Sequence, residues 1–168
     1  MAISAGIAAM NNTASRWYYV LYRFRAYTAL NQVAFMGENS AATTGGGDAL
    51  YHNPNPTNRV LRYSASGATF IDKIVAQAAV NTFVVDSLNI DGANIVTKFA
   101  GIGATSAAQT GTTPNGIFKL MLGALGSASP SLFGQCDVAA LFCGHQVLTT
   151  AEKTRIEAYV TRLYGLTP

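Results

Sequence analysis

What this 168-residue chain has least of is charge. Asp, Glu, Lys and Arg make up 11% of it, against about 25% in ordinary soluble domains. The net charge of +3 is too small to argue for nucleic acid, and no DNA- or RNA-binding signature accompanies it. Long apolar runs are missing as well. Hydrophobic residues reach 49%, yet no window approaches the roughly 18 consecutive apolar residues of a membrane span. The start, MAISAGIAAM, has no basic region and is too short for a secretory signal. The two cysteines, Cys136 and Cys143, lie seven positions apart. That odd spacing sends them to opposite faces of a regular strand and does not suit zinc, which predicts buried free thiols of a reducing cytoplasm. Only two histidines, His52 and His145, occur; each reads as a surface or connecting residue. Nucleophile-elbow, zincin and phosphate-loop motifs are absent. The eight acids are scattered, whereas glycosidases need two carboxylates at a set separation. The expectation is a protein that is not an enzyme, with no cofactor and no metal centre.

What is present is a series of short strands separated by small-residue turns. Trp17 to Tyr27 (WYYVLYRFRAY) is the strongest, rich in aromatic and β-branched residues. Trp17, Tyr19 and Leu21 point one way and Tyr18, Val20, Tyr22 and Phe24 the other, so this strand is expected to be covered on both faces. Gln32 to Met36 is a candidate partner for it. Ala49 to His52, Arg59 to Ser64, Phe70 to Val75, Val80 to Ile90, Ile95 to Ala100 and Phe118 to Leu122 read as further strands, with Glu38 to Asp48 and Ser106 to Gly116 as loops. Asp91-Gly92 is a hairpin-turn signal. Regular strand spacing in a chain of this length indicates one all-β domain.

The last segment, Asp137 to Pro168, has a different character. Val138 to Cys143 is an apolar run of strand length. Thr149 with Glu152 forms a capping box, and Ile156, Tyr159, Val160 and Leu163 recur at helical spacing as one apolar stripe. Arg162 suits the last turn of the helix, and Gly165 supplies a left-handed C-cap. This segment resembles the C-terminus of the concanavalin A-like (laminin-G-like) jelly-roll domains of bacterial and phage surface proteins. Their last strand and helix run D-I-A-E-V-L-V-Y-D-R-A-L-S-x-x-E-R, then E-A-Y-L, then Y-G-L. Asp137, Val138 and Ala139 stand for D-I-A, Leu148 and Thr149 for L-S, and Glu152 and Lys153 for E-R. Glu157 to Val160 stand for E-A-Y-L, and Tyr164 to Leu166 for Y-G-L. Ala140 replaces the usual acid, and Gly144-His145 replace Tyr-Asp. Thr82 to Gly101 is similar to the family's hairpin with D-G at its turn. The resemblance implies a two-sheet antiparallel jelly-roll sandwich with one C-terminal α-helix. Some relatives bind calcium, which Asp91 and Asn94 would serve here; a plain turn role is the competing reading.

Low charge has two readings: a neutral, loop-rich β protein, or a surface covered by other subunits, since interface cores are depleted in charge. Five of the seven arginines, Arg16, Arg23, Arg25, Arg59 and Arg62, lie early, opposed between residues 16 and 62 only by Glu38 and Asp48. The reading therefore treats residues 1–16 as an N-terminal arm or edge strand and residues 17–168 as the sandwich, with Arg16, Arg23 and Arg25 at a subunit boundary. It expects a structural protein of a phage virion, a capsid decoration, head-fibre or tail-fibre subunit. Such a subunit would be homo-oligomeric, partnered by other virion proteins, assembled in the host cytoplasm and displayed on the virion surface. The alternative is a carbohydrate-binding, lectin-like module or adhesin. Its sugar platforms would be Tyr51 and Tyr63, with Trp17 and Tyr19 weighed against core packing; a virion subunit that grips host glycans would combine the two.

Overall fold

Ser15–Phe24, β2, organises the molecule because both of its faces are apolar. Tyr18, Val20, Tyr22 and Phe24 enter the main core, while Tyr19 and Leu21 join a second cluster with Trp17. In the computed structural model, residues 2–3, 15–27, 32–39, 47–52, 58–64, 70–91, 94–100, 104–108, 118–123, 135–166 and 168 are described. Strand β2 pairs antiparallel with β7 (Val84–Asp91) on one side and β11 (Cys136–Gly144) on the other. Adding β8 (Asn94–Lys98) and β9 (Ala104–Ala108) gives a five-stranded sheet in the order β11-β2-β7-β8-β9. The facing sheet contains β1 (Ala2–Ile3), β3 (Gln32–Asn39), β4 (Gly47–His52), β5 (Asn58–Ser64), β6 (Phe70–Ala76) and β10 (Phe118–Leu122). Its order is β1-β10-β3-β4-β5-β6. Phe35, Leu50 and Leu61 from this sheet meet Leu88, Ile90, Ile95 and Phe99 from the other. The fold is an all-β, two-sheet antiparallel jelly-roll sandwich of the concanavalin A-like kind, closed by one C-terminal helix. No helix among the described residues is long and apolar enough to cross a membrane.

That helix, α1 (Thr150–Tyr164), starts and stops as its sequence dictates. The Thr149 hydroxyl accepts the Glu152 N–H at 3.2 Å, and the Glu152 carboxylate accepts the Thr149 N–H at 2.8 Å. Gly165 ends it at φ 68° and donates its N–H to Thr161 O at 2.8 Å. The helix lies on the outer face of the five-stranded sheet, where Val160 and Leu148 are buried beside Tyr19, Leu21 and Val85. The stripe is narrower than its spacing predicts. Val160 is fully buried and Ile156 partly so, but Tyr159 and Leu163 are 43% and 53% exposed. A single helix touches the sheet beneath it along a narrow line, so Tyr159 meets it only through an edge-on contact with the Phe142 ring at 5.9 Å and Leu163 faces water.

Four further departures from the sequence reading have local causes. Gln32–Asn39 belongs to the facing sheet and does not pair with β2; its neighbours are β4 and β10. Ala104–Ala108, in a stretch whose later part read as loop, forms β9 by pairing with β8; its three alanines and one serine carry little strand preference, only Thr105 favours a strand, and the pairing supplies what the rest lack. Strand β2 begins at Ser15, so Arg16 is sandwich and not arm. Ala2–Ile3 pairs with β10 in the same chain, and residues 4–14 lie outside the described set. Finally, a bulge between Val138 and Ala140 shifts the register of β11. It reverses side-chain parity, so Cys136, Val138, Leu141 and Cys143 all pack on the main core while Ala140 and Phe142 face the helix. The cysteines thus share a face, and neither is in a disulfide. Seven residues of strand separate them by roughly 23 Å, far beyond disulfide reach.

Candidate functional site

The even positions of β2 point between the sheets, and that parity decides the fate of Arg16. It is 3% exposed. Its Nε and Nη2 donate to Asp48 Oδ2 and Oδ1 at 2.7 and 3.1 Å, and the Tyr18 hydroxyl donates to Asp48 Oδ2 at 2.7 Å. Arg16 and Tyr18 come from one sheet and Asp48 from the other, so the cluster ties the sandwich together. A parallel cluster lies deeper along β2. Asp86 accepts from the Tyr22 hydroxyl at 2.8 Å and the Ala100 N–H at 2.9 Å, and Arg59 Nη1 lies 3.4 Å away. Burial pushes the Asp86 carboxyl above its usual range, with the Arg59 charge acting against it. Burial also raises the Tyr18 and Tyr22 phenols, and the adjacent carboxylates add to it. The expectation that Arg16 stands at a subunit boundary is therefore corrected: it faces the interior and is satisfied there.

Arg23, at an odd position, points outward, and Arg25 follows just beyond the strand. The β2–β11 register sets Asp137 opposite Arg23. Arg23 Nε donates to Asp137 Oδ2 at 2.8 Å, Arg25 Nε to the same oxygen at 3.0 Å, and Arg25 Nη2 to Asp137 Oδ1. Hydrogen bonds from Arg25 and then Arg23 hold the Asp137 carboxyl down at about 2. The Arg23 guanidinium also lies 4.6 Å from the centroid of the Phe83 ring, a cation–π arrangement. Beside it opens a cavity of about 200 Å³ lined by Leu21, Phe83, Ala139, Tyr164 and Leu166. Leu21 of β2 and the bulge residue Ala139 contribute from the sheet, and Tyr164 with Leu166 from the end of α1. Among the described residues this is where an apolar, aromatic-walled pocket meets a charged cluster. The sequence reading picked out Arg23 and Arg25 but not their carboxylate or the pocket; neither the bulge nor the helix position is written in local spacing.

The other sequence candidates do not gather here. Trp17 and Tyr19 lie under α1: burial, then the Glu157 charge, raises the Tyr19 phenol to about 12. A Cβ on Gly144 would stand 2.6 Å from the Trp17 ring, so the close approach of that ring leaves no room for a larger residue. Tyr51 is paired with Val33 and Val60, and Tyr63 with Ile71; their side chains lie outside the described set. His145 is exposed, and the His52 side chain is outside the described set. Asp91 Oδ1 accepts the Asn94 N–H at 2.6 Å, a turn bond that engages this carboxylate oxygen. No group of three His, Cys, Asp or Glu side chains among the described residues is placed to hold a metal ion.

No protein-family model and no curated protein matches this sequence. Solved structures do match the fold. The CBM40 module of the Ruminococcus gnavus IT-sialidase, bound to alpha2,3 sialyllactose, superposes with a TM-score of 0.69 at 13% identity, covering 93% of this chain and 94% of the module. The NanB sialidase from Streptococcus pneumoniae gives 0.68 at 13% identity, over 90% of this chain and 27% of that one. The alginate lyase A1-II' gives 0.55 at 6% identity, over 82% and 65%. At such identities the likeness is one of fold, a two-sheet β-sandwich.

Proposed function

We propose that this chain is a non-catalytic, lectin-like carbohydrate-binding module. The observation that carries the reading is the match in extent. The chain corresponds to 94% of a sialidase's carbohydrate-binding module but to only 27% of a sialidase chain. Five of the eight acids are engaged in ways that support a non-catalytic role. Asp48 and Asp86 are sealed between the sheets, Asp137 is held by two arginines, Glu152 caps α1, and Glu157 pairs with Lys98 at 2.9 Å. None of these forms the facing pair that glycosidic cleavage requires. The test is a titration of the full chain with lactose, sialyllactose and alginate oligosaccharides. Saturable binding to at least one glycan with no product formed is expected; turnover, or no binding to any glycan, overturns the reading.

The charge-poor composition, 11%, favours a second, compatible setting: a decoration, head-fibre or tail-fibre subunit on a phage surface, homo-oligomeric and attached to other virion proteins. In that setting residues 1–14 contact a neighbour, with Arg23 and Arg25 near the boundary. Native mass distinguishes the settings, since a virion subunit is expected to be a multimer and a stable monomer argues against it. The informative truncation removes residues 1–14 and stops there, because it spares Arg16 and its Asp48 pair.

A further inference from the structure

We propose that the Arg23–Asp137–Arg25 cluster and the cavity beside it form a binding site for a carboxylated sugar residue. This rests on the glycan-binding reading above and adds to it a place and a ligand class.

The charge of the cluster is unbalanced. Two guanidinium groups share one carboxylate, which leaves one positive charge in excess. The Asp137 carboxyl stays ionised down to about pH 2, so the imbalance persists across the physiological range. It is also reachable, because the Arg23 and Arg25 side chains are 35% and 65% exposed. Arg23 spends only Nε on Asp137. No described residue accepts from its two terminal nitrogens, whose parallel N–H groups match the two oxygens of a carboxylate. Asp137 holds both arginines in place before a ligand arrives, which lowers the ordering entropy that binding must overcome.

The cavity supplies the other half. Phe83, against which the Arg23 guanidinium lies, is one of its walls, and Leu21, two residues before Arg23 on the same face of β2, is its floor. Tyr164 adds a second aromatic ring and Leu166 an aliphatic edge. A pyranose presents C–H groups on its ring faces that pack against such rings. The volume of about 200 Å³ is below the roughly 300 Å³ at which pockets for drug-sized ligands begin, so it accommodates one ring and not a chain of them. A carboxylate projecting from that ring meets Arg23 at the lip. A neutral sugar would fill the cavity without using the excess charge.

The experiment is a two-dimensional amide NMR titration of the full chain with methyl glucuronide and with its neutral counterpart, methyl glucoside. Shifts are expected at Arg23, Phe83, Ala139 and Leu166 with the acid, and at least a ten-fold weaker response with the neutral sugar. Arg23→Ala should remove the preference for the acid, and Arg23→Lys should retain part of it. Ala139→Trp fills the cavity from an exposed position and should abolish binding with circular dichroism unchanged. Raised salt should weaken binding of the acid and not of the neutral sugar. If glycans from either panel bind but survive both Arg23→Ala and Ala139→Trp, or shift residues elsewhere, this site is wrong and the module reading stands. If no glycan binds at all, both fall.

Discussion

Two arginine–aspartate clusters built on the same strand behave in opposite ways. Between the sheets, Asp86 meets Arg59 and Tyr22 after losing its water, and its carboxyl is raised. On the outer surface, Asp137 meets Arg23 and Arg25 while still wet, and its carboxyl is lowered to about 2. The chemistry is shared; the order in which solvent is removed and partners supplied differs. Burial charges a desolvation penalty that an arginine at 3.4 Å offsets only in part, whereas at the surface the hydrogen bonds act almost alone. The interior cluster therefore ties the two sheets together, and the surface cluster stays in contact with water.

The strongest way to break this contrast is to remove each carboxylate. Asp86→Ala or Asp48→Ala strands a buried arginine and should cost about 3–5 kcal/mol, read by urea unfolding. Asp137→Ala should move the midpoint far less. Replacing Arg59 and Asp86 together by Met and Leu should recover most of the loss, because a buried pair exchanged for apolar side chains is often neutral. Equal losses at Asp86 and Asp137 would end the distinction.

Next in size is the same contrast among apolar residues. Leu88→Ala, inside the main core, should cost about 2–5 kcal/mol. Leu163→Ala, on the open side of α1, should stay within about 0.5 kcal/mol. A large effect at Leu163 in the isolated chain would mean that the helix sits deeper than described.

Smaller again is the response to pH, where the two aspartates should have opposite slopes. Asp137 has a lowered carboxyl, so its contribution is present above the usual value of 3.8 and disappears as pH falls toward 2. Asp86 has a raised carboxyl, so the folded state holds its proton longer than the unfolded chain. Its contribution becomes less favourable as pH rises from 3.8 through the raised value. Unfolding of wild type against Asp137→Asn and Asp86→Asn across this range checks both signs. The least effect should come from salt: half-molar sodium chloride should weaken the exposed Arg25–Asp137 pair and leave the sealed Arg16–Asp48 pair unchanged, measured by double-mutant cycles at each site.

Much of the architecture was legible because it depends on local pattern. The capping box at Thr149 and Glu152, the C-cap at Gly165 and the alternation along β2 each follow from residues a few positions apart. The candidate site was half legible. Arg23 and Arg25 stood out as charges on one side of a strand, but Asp137 lies 114 residues from Arg23, and the cavity needs the β11 bulge and the end of α1 together. Arg16 looked equivalent to the other two until its parity met Asp48 across the sandwich. The cysteines were misplaced by a single inserted residue that no spacing rule announces.

What the sequence determined by itself was therefore the kind of structure: strands from alternation, a capped helix from its boundary signals, and a chain with too few charges to spend many on its surface. Only the tertiary structure decided what each charge does. One residue of parity sends Arg16 inward and Arg23 outward, one bulge brings Ala139 to the cavity, and the facing sheet delivers Asp48. These are long-range outcomes of register and packing, where a shift of one position exchanges the two faces of a strand and with them a buried tie between sheets for a charge at the surface.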